Sequence, residues 1–140
     1  MPTNRQVVLA SYVTDAAQPE NFALSEGPMP EPSEGEFLLR NMYFSMEPAI
    51  RGWVDGKANY FEPIPIGGVI RGPSVGQVIK SKNPDFAEGE YVYALNQWED
   101  YSLCHSEAIL LEKLKPEPGI PLSYYVGSLG GAGATAYIGL

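Results

Sequence analysis

EFLLRNMYFSM, residues 36–46, is the stretch whose reading decides the fold. In an extended chain Phe37, Leu39, Asn41, Tyr43 and Ser45 share one face, and Leu38, Arg40, Met42, Phe44 and Met46 share the other. Both faces are largely apolar, which predicts a strand covered on both sides. Glu47-Pro48 ends it. A helical turn is predicted over residues 49–53, then a loop at Asp55-Gly56.

Upstream, residues 6–13 (QVVLASYV) are β-branched and aromatic and read as a first strand. Residues 14–21 form a loop with Pro19, and residues 22–26 a short strand. Pro28, Pro30 and Pro32 exclude a regular helix or central strand over residues 27–35. Downstream, residues 63–68 are a rigid loop. Residues 69–80 (VIRGPSVGQVIK) are a strand interrupted by Gly72, Pro73 and Gly76, where a bulge or a close backbone approach is expected. A turn over residues 83–89 leads to three more strands, 91–95, 98–103 and 108–114. A Pro-rich linker spans residues 116–121, and residues 122–140 change to helical spacing, predicting two short helices. Six to eight short strands make a small barrel or sandwich.

The totals agree. A chain of 140 residues with 44% hydrophobic and 19% charged residues makes one ordinary globular domain. Its 15 glycines and 13 prolines are scattered, so they read as turns between many short strands. A formal charge of −8 with no basic patch excludes nucleic acid as a partner. No run approaches the ~18 apolar residues of a membrane span, and residues 1–5 carry no leader-like stretch. A single cysteine, Cys104, permits no internal disulfide and fits a reducing, cytoplasmic setting. The chain stops on apolar Ile138-Gly139-Leu140, so its natural continuation beyond residue 140 is expected.

Several short strings, read in order, carry a resemblance. They are Asn4-Arg5-Gln6, Arg40-Asn41-Met42-Tyr43-Phe44-Ser45-Met46-Glu47-Pro48, Arg51-Gly52-Trp53, Pro65-Ile66-Gly67, Ser81-Lys82-Asn83-Pro84-Asp85-Phe86, Gly89-Glu90 and Gly133-Ala134-Thr135-Ala136-Tyr137. Together they resemble the medium-chain dehydrogenase/reductase superfamily, in its zinc-independent group of prostaglandin reductases, leukotriene B4 dehydrogenase-like enzymes and alkenal double-bond reductases. The resemblance implies a mainly β fold, a GroES-like partly open β-barrel over residues 1–125. Residues 126–140 then begin the connection to a Rossmann domain that this sequence lacks.

Metal is not expected. Zinc takes about four Cys, His or acidic ligands in tetrahedral array, and adjacent Cys104-His105 on a strand point to opposite faces. Cys104 reads as an inert strand residue and His105 as a surface one. Zinc-bearing members of the superfamily carry a cysteine near the position of Met46 and Gly-His-Glu near Gly67-Gly68-Val69; neither is present here. Gly131-Ala132-Gly133-Ala134-Thr135-Ala136 fits G-x-G-x-x-A formally, but no βαβ unit surrounds it, so it reads as a tightly packed helix junction. No Ser/His/Asp constellation is visible, and no catalytic side chain is assigned.

The resemblance places Thr135 and Gly131 near a nicotinamide, with Gly131 smaller than the residue usual there. Residues 45–51 have two readings. One is a strand end and helical turn with Arg51 in a surface salt bridge. The other is a wall of the cleft where substrate meets cofactor, with Met46, Ala49 and Arg51 contributing. Ala49 replaces a tyrosine common in the related enzymes, which widens the pocket. Tyr60, Arg71 and Trp98 are further cleft residues to test, against plain packing roles. The implied reaction is hydride transfer from NADP(H) to the C=C bond of an α,β-unsaturated aldehyde or ketone. The cofactor would be held mostly by the absent domain, the fragment alone would be inactive, and the full-length protein would form a homodimer. The other readings are a stand-alone GroES-like interaction module and a fragment of a zinc alcohol dehydrogenase.

Overall fold

A computed structural model describes residues 3–140. Met1 and Pro2, the first residues of the N-terminal stretch read above, lie outside the described residues. The strands are β1 (Thr3–Leu9), β2 (Phe22–Pro28), β3 (Glu36–Phe44), β4 (Arg71–Ser81), β5 (Tyr91–Gln97), β6 (Tyr101–His105) and β7 (Glu112–Leu114). Two α-helices join them, α1 (Pro48–Trp53) and α2 (Gly131–Gly139). None of the described helices is long and apolar enough to cross a membrane.

All pairings are antiparallel. β1 and β2 form one sheet, and β6-β3-β4-β5-β7 form the other. Both sheets are open. They are stitched together where Val7 N–H donates to Trp98 O (2.9 Å) and Ile70 N–H donates to Val7 O (2.8 Å). The expected mainly β architecture is therefore what the chain adopts.

Side chains fill the space between the sheets in three groups. Leu9, Val13, Ile50, Trp53, Val54, Ile64 and Ile70 make one apolar cluster, and Phe37, Leu39, Val78, Phe86, Val92 and Cys104 make another. In the second, Phe37 stacks on Phe86 with ring centroids 4.3 Å apart. The third group is polar and draws one or more side chains from each of five strands. Asn41 donates to Ser102 Oγ (2.8 Å), Ser74 to Asn41 Oδ1 (3.1 Å), Asn96 to Ser74 Oγ (2.8 Å) and the Cys104 thiol to Asn96 Oδ1 (3.1 Å). Asn4 of β1 and Gln6 join through the Glu99 carboxylate. Buried amides and hydroxyls need such partners, because an unpaired one costs about 1–3 kcal/mol.

Several strand boundaries differ from the sequence reading, each for a local reason. The first strand runs from Thr3 to Leu9 rather than over residues 6–13. Val13 is fully buried, but its N–H donates to Val54 O (2.9 Å) in a loop instead of a ladder. β3 is covered on both sides only over Phe37, Leu38 and Leu39; Met42 and Tyr43 are exposed. Register shifts between Leu38 and Leu39 and between Asn41 and Tyr43 break the simple two-face alternation. At the second shift a Cβ on Gly76 would sit 2.8 Å from Arg40 O, so β3 and β4 approach there only because Gly76 has no side chain. The strand read over residues 98–103 begins at Tyr101, because Trp98 N–H and Asp100 N–H donate to Ile70 O and Arg5 O instead. The strand read over residues 108–114 shrinks to Glu112–Leu114, because Leu110 turns the chain at φ +59. The two predicted C-terminal helices resolve into a 3-10 turn over Leu122–Val126 and α2.

Cys104 and His105 do point apart on β6, the first buried and the second exposed. Burial pushes the Cys104 thiol up to about 12, and the Glu99 carboxylate adds to this. The folded chain should therefore resist thiol reagents at pH 8 and react fully in denaturant, read by Ellman absorbance. The unfolded thiol ionises near pH 8.5 and the folded one near 12, so the thiol's contribution to stability is complete below pH 8.5 and is lost between those values. Rapid labelling of the native chain would contradict this.

Candidate active-site groove

A groove of about 850 Å³ lies between the start of α1, the outer face of β5 and β7, and the start of α2. Pro48 opens α1 at its first turn, where a missing N–H costs nothing, and Ile50 and Trp53 anchor that helix in the apolar cluster. This leaves Ala49 on the groove wall. Along β5 the alternation buries Val92, Ala94 and Asn96, so Tyr93 faces outward into the groove. Glu112 stands directly opposite Tyr93 on β7. Leu110, in its left-handed conformation, lines the same space. From the other side come Gly131 and Thr135, one helical turn apart on α2. The Thr135 hydroxyl donates to Gly131 O (2.8 Å), which fixes its orientation.

Charge at the groove is mixed. Glu47, held by a hydrogen bond from the Ser45 hydroxyl (3.1 Å), and Glu112 face Lys113 and Lys115. Lys113 is itself paired with Glu90 (3.0 Å). Among the described residues, no group of three or more His, Cys, Asp or Glu is gathered to hold a metal ion.

Of the residues singled out from the sequence, Ala49, Gly131 and Thr135 come together in this groove. Met46 and Trp98 do not. They line a smaller, apolar depression of about 460 Å³ with Met42, Phe44 and Leu24, rimmed by the Arg5–Asp100 ion pair (2.8 Å). The remaining three line neither depression. Arg51 donates to Asp15 O (2.9 Å), so its partner is a loop carbonyl and not the carboxylate a surface salt bridge would need. Arg71 lies over the rings of Trp53 (5.2 Å) and Phe61 (5.4 Å) and donates to Glu62 O. Burial lowers the Arg71 pKa, and the rings offset that loss of hydration by cation–π attraction. Tyr60 is exposed and packs edge-on to Phe61. The sequence reading missed Tyr93 and Glu112, and it held Glu47 only as part of the stretch 45–51 and not as a residue of its own. The alternation with Val92 and Ala94 could have put Tyr93 on the opposite face of the strand from the core, but not in a groove.

The chain belongs to an oxidoreductase family: residues 5–111 match the model of the N-terminal domain of oxidoreductase. Its relatives lie among the medium-chain reductases that the quoted strings suggested. The NADPH-dependent curcumin reductase of Escherichia coli is 40% identical over 137 residues, covering 98% of this chain and 39% of that protein. The NADP(+)-dependent 2-alkenal reductase of Nicotiana tabacum is 32% identical, covering 98% of this chain and 40% of that protein. Among solved structures, CurA from Vibrio vulnificus in complex with NADPH superimposes with a TM-score of 0.86 at 41% identity, over 97% of this chain and 40% of that one. The chain thus spans about two fifths of the length of the relatives it matches.

Proposed function

We propose that this chain is the substrate-side domain of an NADP(H)-dependent oxidoreductase that reduces the C=C bond of α,β-unsaturated aldehydes or ketones without zinc. The observation that carries the reading is the convergence of Ala49, Gly131 and Thr135 on one groove. These residues come from stretches far apart in the sequence and give that groove walls of small side chains. Such walls suit a flat aromatic ring. Ala49 stops at its Cβ, Gly131 adds no side chain, and the Thr135 hydroxyl is already held within α2. These three would hold the nicotinamide, which when bound supplies the hydride. The chain's own part is to orient the substrate, exclude water from one side and offer polar groups to the substrate oxygen. Residues 1–125 would form the substrate-side domain and residues 126–140 the connection to the nucleotide-binding part. The chain's lone, buried cysteine supports a reducing compartment as its setting.

The test is NADPH oxidation by the purified full-length protein with 2-hexenal or 4-phenylbut-3-en-2-one, before and after dialysis against a strong chelator. Equal rates before and after are expected, with the saturated carbonyl compound as product. Loss of activity on chelation, restored by zinc, would overturn the zinc-free mechanism. The chain of residues 1–140 alone should give no measurable turnover.

A further inference from the structure

The Tyr93 hydroxyl is the groove's one phenol that is half-buried, aimed inward and free of a protein hydrogen bond among the described residues. Tyr125, the other tyrosine on the wall, accepts from Glu117 N–H (3.0 Å). No hydrogen bond is among the influences acting on Tyr93, which are burial first, then the charges of Glu47 and Glu112. The ring is half-buried while the hydroxyl opens on the groove, where a bound molecule can take the place of the water that meets it. The space beside it is open. A Cβ on Gly131 would lie 3.8 Å from the hydroxyl, and apart from its chain neighbours and the backbone of its own helix nothing else lies within 4 Å of that Cβ position. Ala49 lines the same groove and reaches no farther than a methyl group.

Resting on the reading of the groove above, we propose that Tyr93 binds the substrate, its hydroxyl donating a hydrogen bond to the carbonyl oxygen of the enone or enal. The two small residues, Ala49 and Gly131, keep the approach to that hydroxyl clear. Burial and the two nearby carboxylates hold the phenol un-ionised through the physiological range, so it stays a donor. A donor suits a carbonyl oxygen, which takes up negative charge as the C=C bond is reduced. The carboxylates of Glu47 and Glu112 beside it disfavour substrates that carry a carboxylate of their own near the carbonyl.

The test is Tyr93→Phe in the full-length protein, which removes the oxygen and keeps the ring. With 4-phenylbut-3-en-2-one, kcat/KM should fall about tenfold, as for one lost hydrogen bond to an oxygen gaining charge. The Kd of the saturated ketone 4-phenylbutan-2-one, measured by titration calorimetry without cofactor, should rise about fivefold. The melting temperature should stay unchanged, because the hydroxyl holds no protein partner. Unchanged kcat/KM and Kd in Tyr93→Phe, with an active wild type, overturn the role of Tyr93 alone. A wild type that reduces no enone or enal overturns the proposed function, and this inference falls with it.

Discussion

Replacing Gly133 with alanine is expected to lower kcat/KM of the full-length protein about 100-fold while leaving the barrel's melting temperature close to wild type. A Cβ at this position would lie 1.8 Å from Ser128 O, 2.4 Å from Ser128 C and 2.8 Å from Ser128 Cα. All three are backbone atoms, so no side-chain rotation relieves the overlap. The start of α2 must move away from the turn before it. That breaks the bonds from Gly133 N–H to Gly127 O (3.2 Å) and from Ala134 N–H to Gly130 O (3.0 Å). Gly131 and Thr135 leave the groove with it. Displacement of about 1 Å at a reacting centre costs on the order of 100-fold in rate. The barrel loses little, because no residue of α2 is buried and none belongs to either apolar cluster. Steady-state kinetics beside a thermal melt separate the two effects. Wild-type kinetics in Gly133→Ala would show that α2 does not shape the groove.

Phe37→Ala is expected to have the largest effect on stability. Phe37 is fully buried on β3, the strand flanked by β4 and β6, and it stacks on Phe86 within a cluster that spans β3, β4, β5 and β6. Truncating a buried phenylalanine costs about 3–5 kcal/mol through lost transfer energy and the cavity left behind. For a domain of this size that lowers the melting temperature by roughly 10–20 °C. Phe86→Ala should cost less, because Phe86 sits in a turn at the edge of the cluster and retains slight exposure. Calorimetry of the two variants checks the order. Equal losses would mean that the stacked pair, not the interior position of β3 in the sheet, sets the cost.

Most of the fold was legible because its signals are local. Proline clusters, glycines and β-branched runs located all seven strands, and the helical turn expected over residues 49–53 is α1, which starts one residue earlier at Pro48. The misplaced ends trace to partners far away in sequence. Val13 looks like a strand residue, yet its backbone is satisfied by Val54. Residues 98–100 look like the start of a strand, yet two of their N–H groups are taken by Ile70 and Arg5. The groove was half legible. Ala49, Gly131 and Thr135 were found through resemblance to related reductases. Tyr93 was not, because nothing in a strand of alternating residues says which side meets a groove. Only the approach of the start of α2 to Tyr93 across the groove decides that. Arg71 was left between ligand contact and a packing role, because its aromatic cover comes from Trp53 and Phe61, which a sequence does not place beside it.

The amides and hydroxyls inside the barrel have a further consequence, for how the strands find one another. Asn4, Asn41, Ser74, Asn96, Ser102 and Cys104 interlock through named donors and acceptors across β1, β3, β4, β5 and β6. Valine and leucine accept almost any oily neighbour, so the two apolar clusters tolerate a misaligned strand. The interlock does not. Sliding one strand by a single residue turns its polar side chain outward and strands the partners it leaves behind. The interior thus proofreads assembly, admitting one alignment of five strands and rejecting its near misses.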